Sequence, residues 1–103
     1  MRRKLVLYFS VYGTTKAVAE AIAKHTKADL FAIEPVNSYD SNRNHYDMLA
    51  RRAKREYENN IRPGIKNHIP VSDYDDIFIG YPIWWYSLPM ILYTLFESYD
   101  SSF

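Results

Sequence analysis

Three short apolar runs do most to limit what this chain can fold into: Lys4 to Phe9 (KLVLYF), Asp29 to Glu34 (DLFAIE) and Asp76 to Gly80 (DIFIG). Each carries β-branched or aromatic residues, lacks the polar alternation of a strand with one wet face, and stops at a Ser, Pro or Gly. The first and third read as strands buried on both faces and the second as a further short strand, which calls for helices on either side of one sheet. Helical spacing fills the intervals. Ala17, Val18, Ala21 and Ile22, with Lys16, Glu20 and Lys24 elsewhere on the wheel, predict a helix from about Thr14 to about His25. Tyr46, Leu49, Ala50, Ala53 and Tyr57 predict a second, from about Asn44 to Asn60, whose other face carries Arg51, Arg52, Lys54, Arg55, Glu56 and Glu58. Ile91, Leu92, Leu95 and Phe96 predict a third over Met90 to Tyr99, with Pro89 suited to its first turn. Pro35 to Arg43 is a loop, and Ile65 to Asp75 is a connecting segment.

Strand, helix, strand, helix, strand, helix is the order of an α/β parallel sheet with right-handed crossovers. At 103 residues, one domain over 1–103 is expected. With 48% hydrophobic residues and a net charge of +1, the chain is neither a disordered tail nor a polycation drawn to nucleic acid. The absence of cysteine excludes disulfides, thiolate nucleophiles and cysteine zinc sites. Met1-Arg2-Arg3-Lys4 before an apolar run imitates a signal peptide, but the run is shorter than a secretory core. A cytoplasmic protein is expected, with no segment long enough to cross a bilayer. His25, His45 and His68 lack metal-ligand spacing, and no side chain stands out as an acid, base or nucleophile, so no catalytic residue is named.

In an open parallel sheet, ligands bind beyond the carboxyl ends of the strands, and both unusual loops of this chain lie there. The first is Ser10-Val11-Tyr12-Gly13-Thr14-Thr15-Lys16. A glycine for close backbone approach, several hydroxyls and a helix N-terminus suit a phosphate, although a hydroxyl-rich helix cap has the same composition. Neither the dinucleotide GxGxxG pattern nor the Walker pattern is present. The second loop is GYPIWWYSLP, residues 80–89, which holds both tryptophans of the chain between two prolines. Such a surface either stacks on a flat ligand, covers the end of the core, or meets another chain.

Ser10-x-Tyr12-Gly13-x-Thr15 resembles the S/T-x-T-G-x-T phosphate loop of flavodoxins, and KLVLYFSVYGTTKAVAEAIA resembles the opening of FMN-binding flavodoxin-like proteins. Tyr12 stands where that family usually has threonine, which removes one small hydroxyl. GYPIWWYSLP resembles the family's second flavin loop. The resemblance implies that Ser10, Tyr12, Gly13, Thr14 and Thr15 hold the phosphate of FMN, while Pro82, Ile83, Trp84 and Trp85 line its ring. It implies an electron carrier or an oxidoreductase acting on small acceptors such as quinones. The flavin supplies the chemistry and the protein its position and potential.

A strand–helix unit takes roughly 30 residues or more, so a five-stranded sheet of order 2-1-3-4-5 needs about 150. The resemblance therefore implies a flavodoxin-like domain truncated to strands 2-1-3 with about three helices. Strand three then becomes an edge, and one sheet face loses its last helix. A homodimer through strand three or the bare face is expected. The alternative function is a self-associating half-domain that has lost flavin binding.

Overall fold

A computed structural model describes residues 2–84 and 87–99. The elements follow in the order β1 (Lys4–Tyr8), α1 (Thr14–Thr26), β2 (Asp29–Ala32), α2 (Tyr46–Glu58), β3 (Asp76–Gly80) and α3 (Met90–Ser98). The strands form one parallel sheet in the order β2-β1-β3. Leu5 pairs with Asp29 on one side and Ile77 on the other, and Tyr8 with Ala32 and Gly80. The central strand runs out in one direction through α1 to β2 and is flanked on its other side by β3. The strand order therefore reverses at the β1–β3 boundary, where parallel sheets open a crevice.

Alternation along β1 divides the core. Leu5, Leu7 and Phe9 pack with Leu49 of α2 and with Ile91, Leu92 and Leu95 of α3, whereas Val6 packs with Ala19 and Ala23 of α1. Helices thus cover both faces, as the double-sided apolar strands require.

The buried face of α1 differs from the sequence expectation. Ala19 and Ala23 are buried, while Val18 and Ile22 stay 56% and 38% exposed. Small side chains let the helix axis lie close to β1, which turns the larger ones aside. Thr15 shares a stripe with Val18 and Ile22, and its Cγ2 lies 3.3 Å from where a Cβ on Gly80 would stand. That stripe therefore runs beside β3. Phe78 pairs in register with Val6, so it faces the same side, and it is 43% exposed. β3 is accordingly half-covered rather than buried on both faces, and among the described residues its one strand partner is β1.

In α2 the inward stripe is Leu49, Ala53 and Glu56, whereas Tyr46 and Tyr57 are exposed. The sequence reading placed Glu56 on the solvated face; it is 3% exposed, for a reason found in its hydrogen bonds. β2 ends at Ala32, two residues before the expected Glu34. There the chain swings to the connecting segment: the Glu34 N–H donates to Asn67 Oδ1, and the Glu34 carbonyl accepts from Lys66 N–H at 2.6 Å. α3 ends at Ser98 and buries the expected Ile91, Leu92 and Leu95, with Met90 buried as well and the expected Phe96 half-buried.

Candidate functional site

The loop between β1 and α1 is shaped by one left-handed residue. Gly13 has φ 94°, a region that a side chain makes costly, and its N–H donates to Ser10 Oγ at 3.1 Å. The Ser10 hydroxyl hydrogen is thereby left to donate elsewhere. The first hydrogen bond within the helix runs from Ala17 N–H to the Gly13 carbonyl at 3.0 Å. No side chain caps α1, so the N–H groups of Thr14, Thr15 and Lys16 point out of the helix toward the loop end with the positive end of its dipole. These are the groups an anion needs.

The loop after β3 returns to the same place. Trp84 and Ser87 exchange backbone hydrogen bonds, each 2.9 Å, so the chain doubles back and holds Trp84 against the core. Its indole meets Phe9 edge to face, with centroids 5.6 Å apart, and Tyr39 at 5.5 Å and 53°. Phe9 and Tyr39 complete the triangle at 5.3 Å. Beside it lie two adjoining cavities that share Tyr12, Leu49 and Trp84. One, of about 280 Å³, is lined by Ser10, Val11, Tyr12, Thr14, Thr15, Leu49, Pro82 and Trp84. The other, of about 380 Å³, adds Tyr46, Ala50, Ala53 and Ile83. Single small-ligand sites are of this order of size.

The predicted residues thus converge: Ser10, Tyr12, Thr14, Thr15, Pro82 and Trp84 share the smaller cavity, and Ile83 lines the larger. Gly13 lines neither. It borders a neighbouring cleft with Ser10 and Lys16, and serves the site through its backbone. Trp85 lies outside the described residues. The Tyr12 hydroxyl is buried with no hydrogen-bond partner among the described residues, an orphan polar group beside the cavity its ring lines. The Arg43 guanidinium sits 4.8 Å from that ring's centre.

Sequence reading missed the second layer. Tyr39, which lies in the polar 35–43 loop, is buried, and its hydroxyl donates to Glu56 Oε1 at 2.6 Å. Arg52 Nε donates to Glu56 Oε2 at 3.2 Å, while its other nitrogens donate to the Asn37 and Ser38 carbonyls at 2.7 Å each. The guanidinium lies 3.6 Å over the Tyr39 ring. Arg52 and Glu56 therefore fasten the loop to α2 and fix the ring that backs Trp84. Burial, and then the bond to the Glu56 carboxylate, push the Tyr39 phenol well above its ordinary pKa. The i, i+4 spacing of Arg52 and Glu56 was visible in sequence, but nothing marked it as turned inward.

Comparison with known proteins bears on the family and the fold. A family model described as flavodoxin matches residues 3–103. The chain belongs to the flavodoxin family. Among solved structures, a candidate flavoprotein from Bacteroides eggerthii superposes with a TM-score of 0.84 at 36% identity, covering 96% of this chain and 64% of that one. A candidate flavoprotein from Bacteroides uniformis gives 0.81 at 32% identity, covering 94% and 64%. A flavoprotein in complex with FMN from Lactobacillus acidophilus gives 0.84 at 24% identity, covering 99% and 69%, and so speaks for the fold. The flavodoxin-like chain described here thus spans 64% of the length of the two Bacteroides proteins. A search of the curated proteins finds no match.

Proposed function

We propose that this flavodoxin-family chain is a cytoplasmic FMN-binding module serving electron transfer or oxidoreduction. The observation that carries this reading is the convergence of the Ser10–Thr15 loop and the Pro82–Trp84 loop on one cavity at the β1–β3 reversal. The residues fit the group. The outward N–H groups of Thr14, Thr15 and Lys16, with the Ser10 hydroxyl, hold the phosphate. Gly13 shapes the loop, and the orphan Tyr12 hydroxyl gains a partner where the family more often places threonine. Pro82, Ile83 and Trp84 line the ring beside Leu49, and Trp85 is assigned to the same wall from the loop's sequence alone. When bound, FMN supplies the one- and two-electron chemistry; the chain's own part is to bind, orient and exclude water. Titration of FMN against the protein tests this, and replacement of Trp84 and Trp85 together by alanine should weaken the binding.

A second reading, self-association as a homodimer, is favoured by the edge of β3. The Gly80 carbonyl accepts from Phe9 N–H, so residues 76, 78 and 80 turn their backbone groups to β1, and Ile77 and Ile79 turn theirs outward. About a two-fold axis at Phe78, Ile77 of one protomer meets Ile79 of its partner as a hydrogen-bonded antiparallel pair. The two Phe78 rings then meet on the face that also bears Val18 and Ile22. This joins both sheets and covers both exposed patches. Sedimentation equilibrium decides it: a dimer mass that falls to monomer in Phe78→Lys supports the register, and a monomer mass for the parent chain ends it.

A further inference from the structure

Buried Glu56 and Tyr39 sit behind the candidate ring wall, where the carboxylate that fastens the loop is also a proton acceptor in direct contact with a redox-active phenol. The path is short at every step: cavity, Trp84 indole, Tyr39 ring at 5.5 Å, and Glu56 Oε1 at 2.6 Å from the phenol oxygen. Tyr39 is 8% exposed and Glu56 3%, so water does not compete for the phenolic proton. The acceptor of that proton is fixed in place by Arg52. The same guanidinium lies 3.6 Å over the Tyr39 ring, which opposes any positive charge on it. Oxidation of this tyrosine therefore has to be coupled to loss of its proton.

We propose that Trp84, Tyr39 and Glu56 form a proton-coupled hole relay leading away from the cavity. A one-electron oxidant held there, such as a photoexcited aromatic dye, removes one electron from the Trp84 indole and is itself reduced by one electron. Tyr39 passes one electron to the Trp84 radical cation and its phenolic proton to Glu56 Oε1. The O–H bond breaks, an O–H bond to the carboxylate forms, and the products are intact Trp84, a neutral tyrosyl radical and a protonated Glu56. Return of one electron from the reduced dye, with the proton, restores the start. The relay drains oxidising equivalents from the site wall and spares the indole from irreversible damage. It rests on the FMN reading only for the identity of the natural oxidant.

The test avoids FMN for that reason. The chain has no cysteine, and Ile83 lines the larger cavity at 76% exposure, so Ile83→Cys accepts one ruthenium(III)-generating polypyridyl photo-oxidant beside Trp84. All variants carry Trp85→Phe, so that Trp84 is the one remaining tryptophan. After the flash, the expected transient is a tyrosyl radical that forms at least two-fold more slowly in D₂O. Tyr39→Phe and Glu56→Gln should leave the hole on the indole, with tyrosyl yield down at least five-fold. An equal tyrosyl yield in Tyr39→Phe, or a parent protein that gives only an indolyl radical, overturns the relay. If a variant unfolds by circular dichroism, the isotope effect on the parent decides: a rate unchanged in D₂O also overturns it. Failure of FMN binding leaves this experiment untouched.

Discussion

Removing the Glu56 carboxylate should be among the costliest single changes in the molecule. In Glu56→Ala the Tyr39 hydroxyl loses a bond of 2.6 Å to a charged acceptor and is left buried without a partner. A hydrogen bond to a charged group contributes about 1.5–3 kcal/mol, and an abandoned buried hydroxyl costs about 1–3 kcal/mol. Arg52 is affected less, because its bonds to the Asn37 and Ser38 carbonyls remain. The expected loss is therefore about 3 kcal/mol, or a fall of about 12 °C or more in Tm for a domain of this size. Tyr39→Phe should cost about 2 kcal/mol, since it keeps the ring packed against Phe9 and Trp84. Urea denaturation of both single variants and the double variant closes a cycle, in which the double should lose about 1.5 kcal/mol less than the sum. Additivity within about 0.5 kcal/mol would refute the reasoning, because the two groups would then not share a buried bond.

Other outcomes follow from the same geometry. Gly13→Ala meets open space but a positive φ, so it should cost about 1–2 kcal/mol in urea melts, and Gly13→Asn, which tolerates that region better, distinctly less. The Asn42 N–H, then His45, hold the Asp40 carboxyl below the ordinary aspartate range, and Arg2 does so for Asp76. Both folded-state values are depressed, so the contributions of these groups are present above the unfolded aspartate pKa of about 3.9 and vanish as pH falls through the lower folded values. Carboxyl NMR titration should show both midpoints below the ordinary range, with that of Asp40 rising in His45→Ala. Trp84→Ala should weaken FMN binding about tenfold, near the upper end of what one stacked ring contributes, as read by the dissociation constant.

The architecture was legible because three short apolar runs separated by helical patterns leave few ways to build a sheet, and the loop positions followed from their order. α1 was misread at Val18 and Ile22 because hydrophobicity was taken to mark the buried face. Close packing on β1 instead selects the small residues Ala19 and Ala23. Glu56 was misread for the opposite reason. A carboxylate enters a core only with partners, and those partners come from a loop that carries no period: Tyr39 itself, and the Asn37 and Ser38 carbonyls that hold Arg52. The Ser10–Thr15 and Pro82–Trp84 loops were readable as neighbours from topology alone. The cavity floor from Leu49 was not, because a core leucine and a ligand-lining leucine have the same spacing on α2.

The cavity between these two loops is assigned to FMN, and equilibrium titration of this chain with FMN is the sharpest check on that assignment. Saturable, one-to-one quenching of both flavin and tryptophan fluorescence is expected, with the flavin signal titrating at a markedly higher dissociation constant in the Trp84→Ala, Trp85→Ala double variant, which retains no tryptophan. Flavin emission that stays at its free value throughout the titration would contradict it.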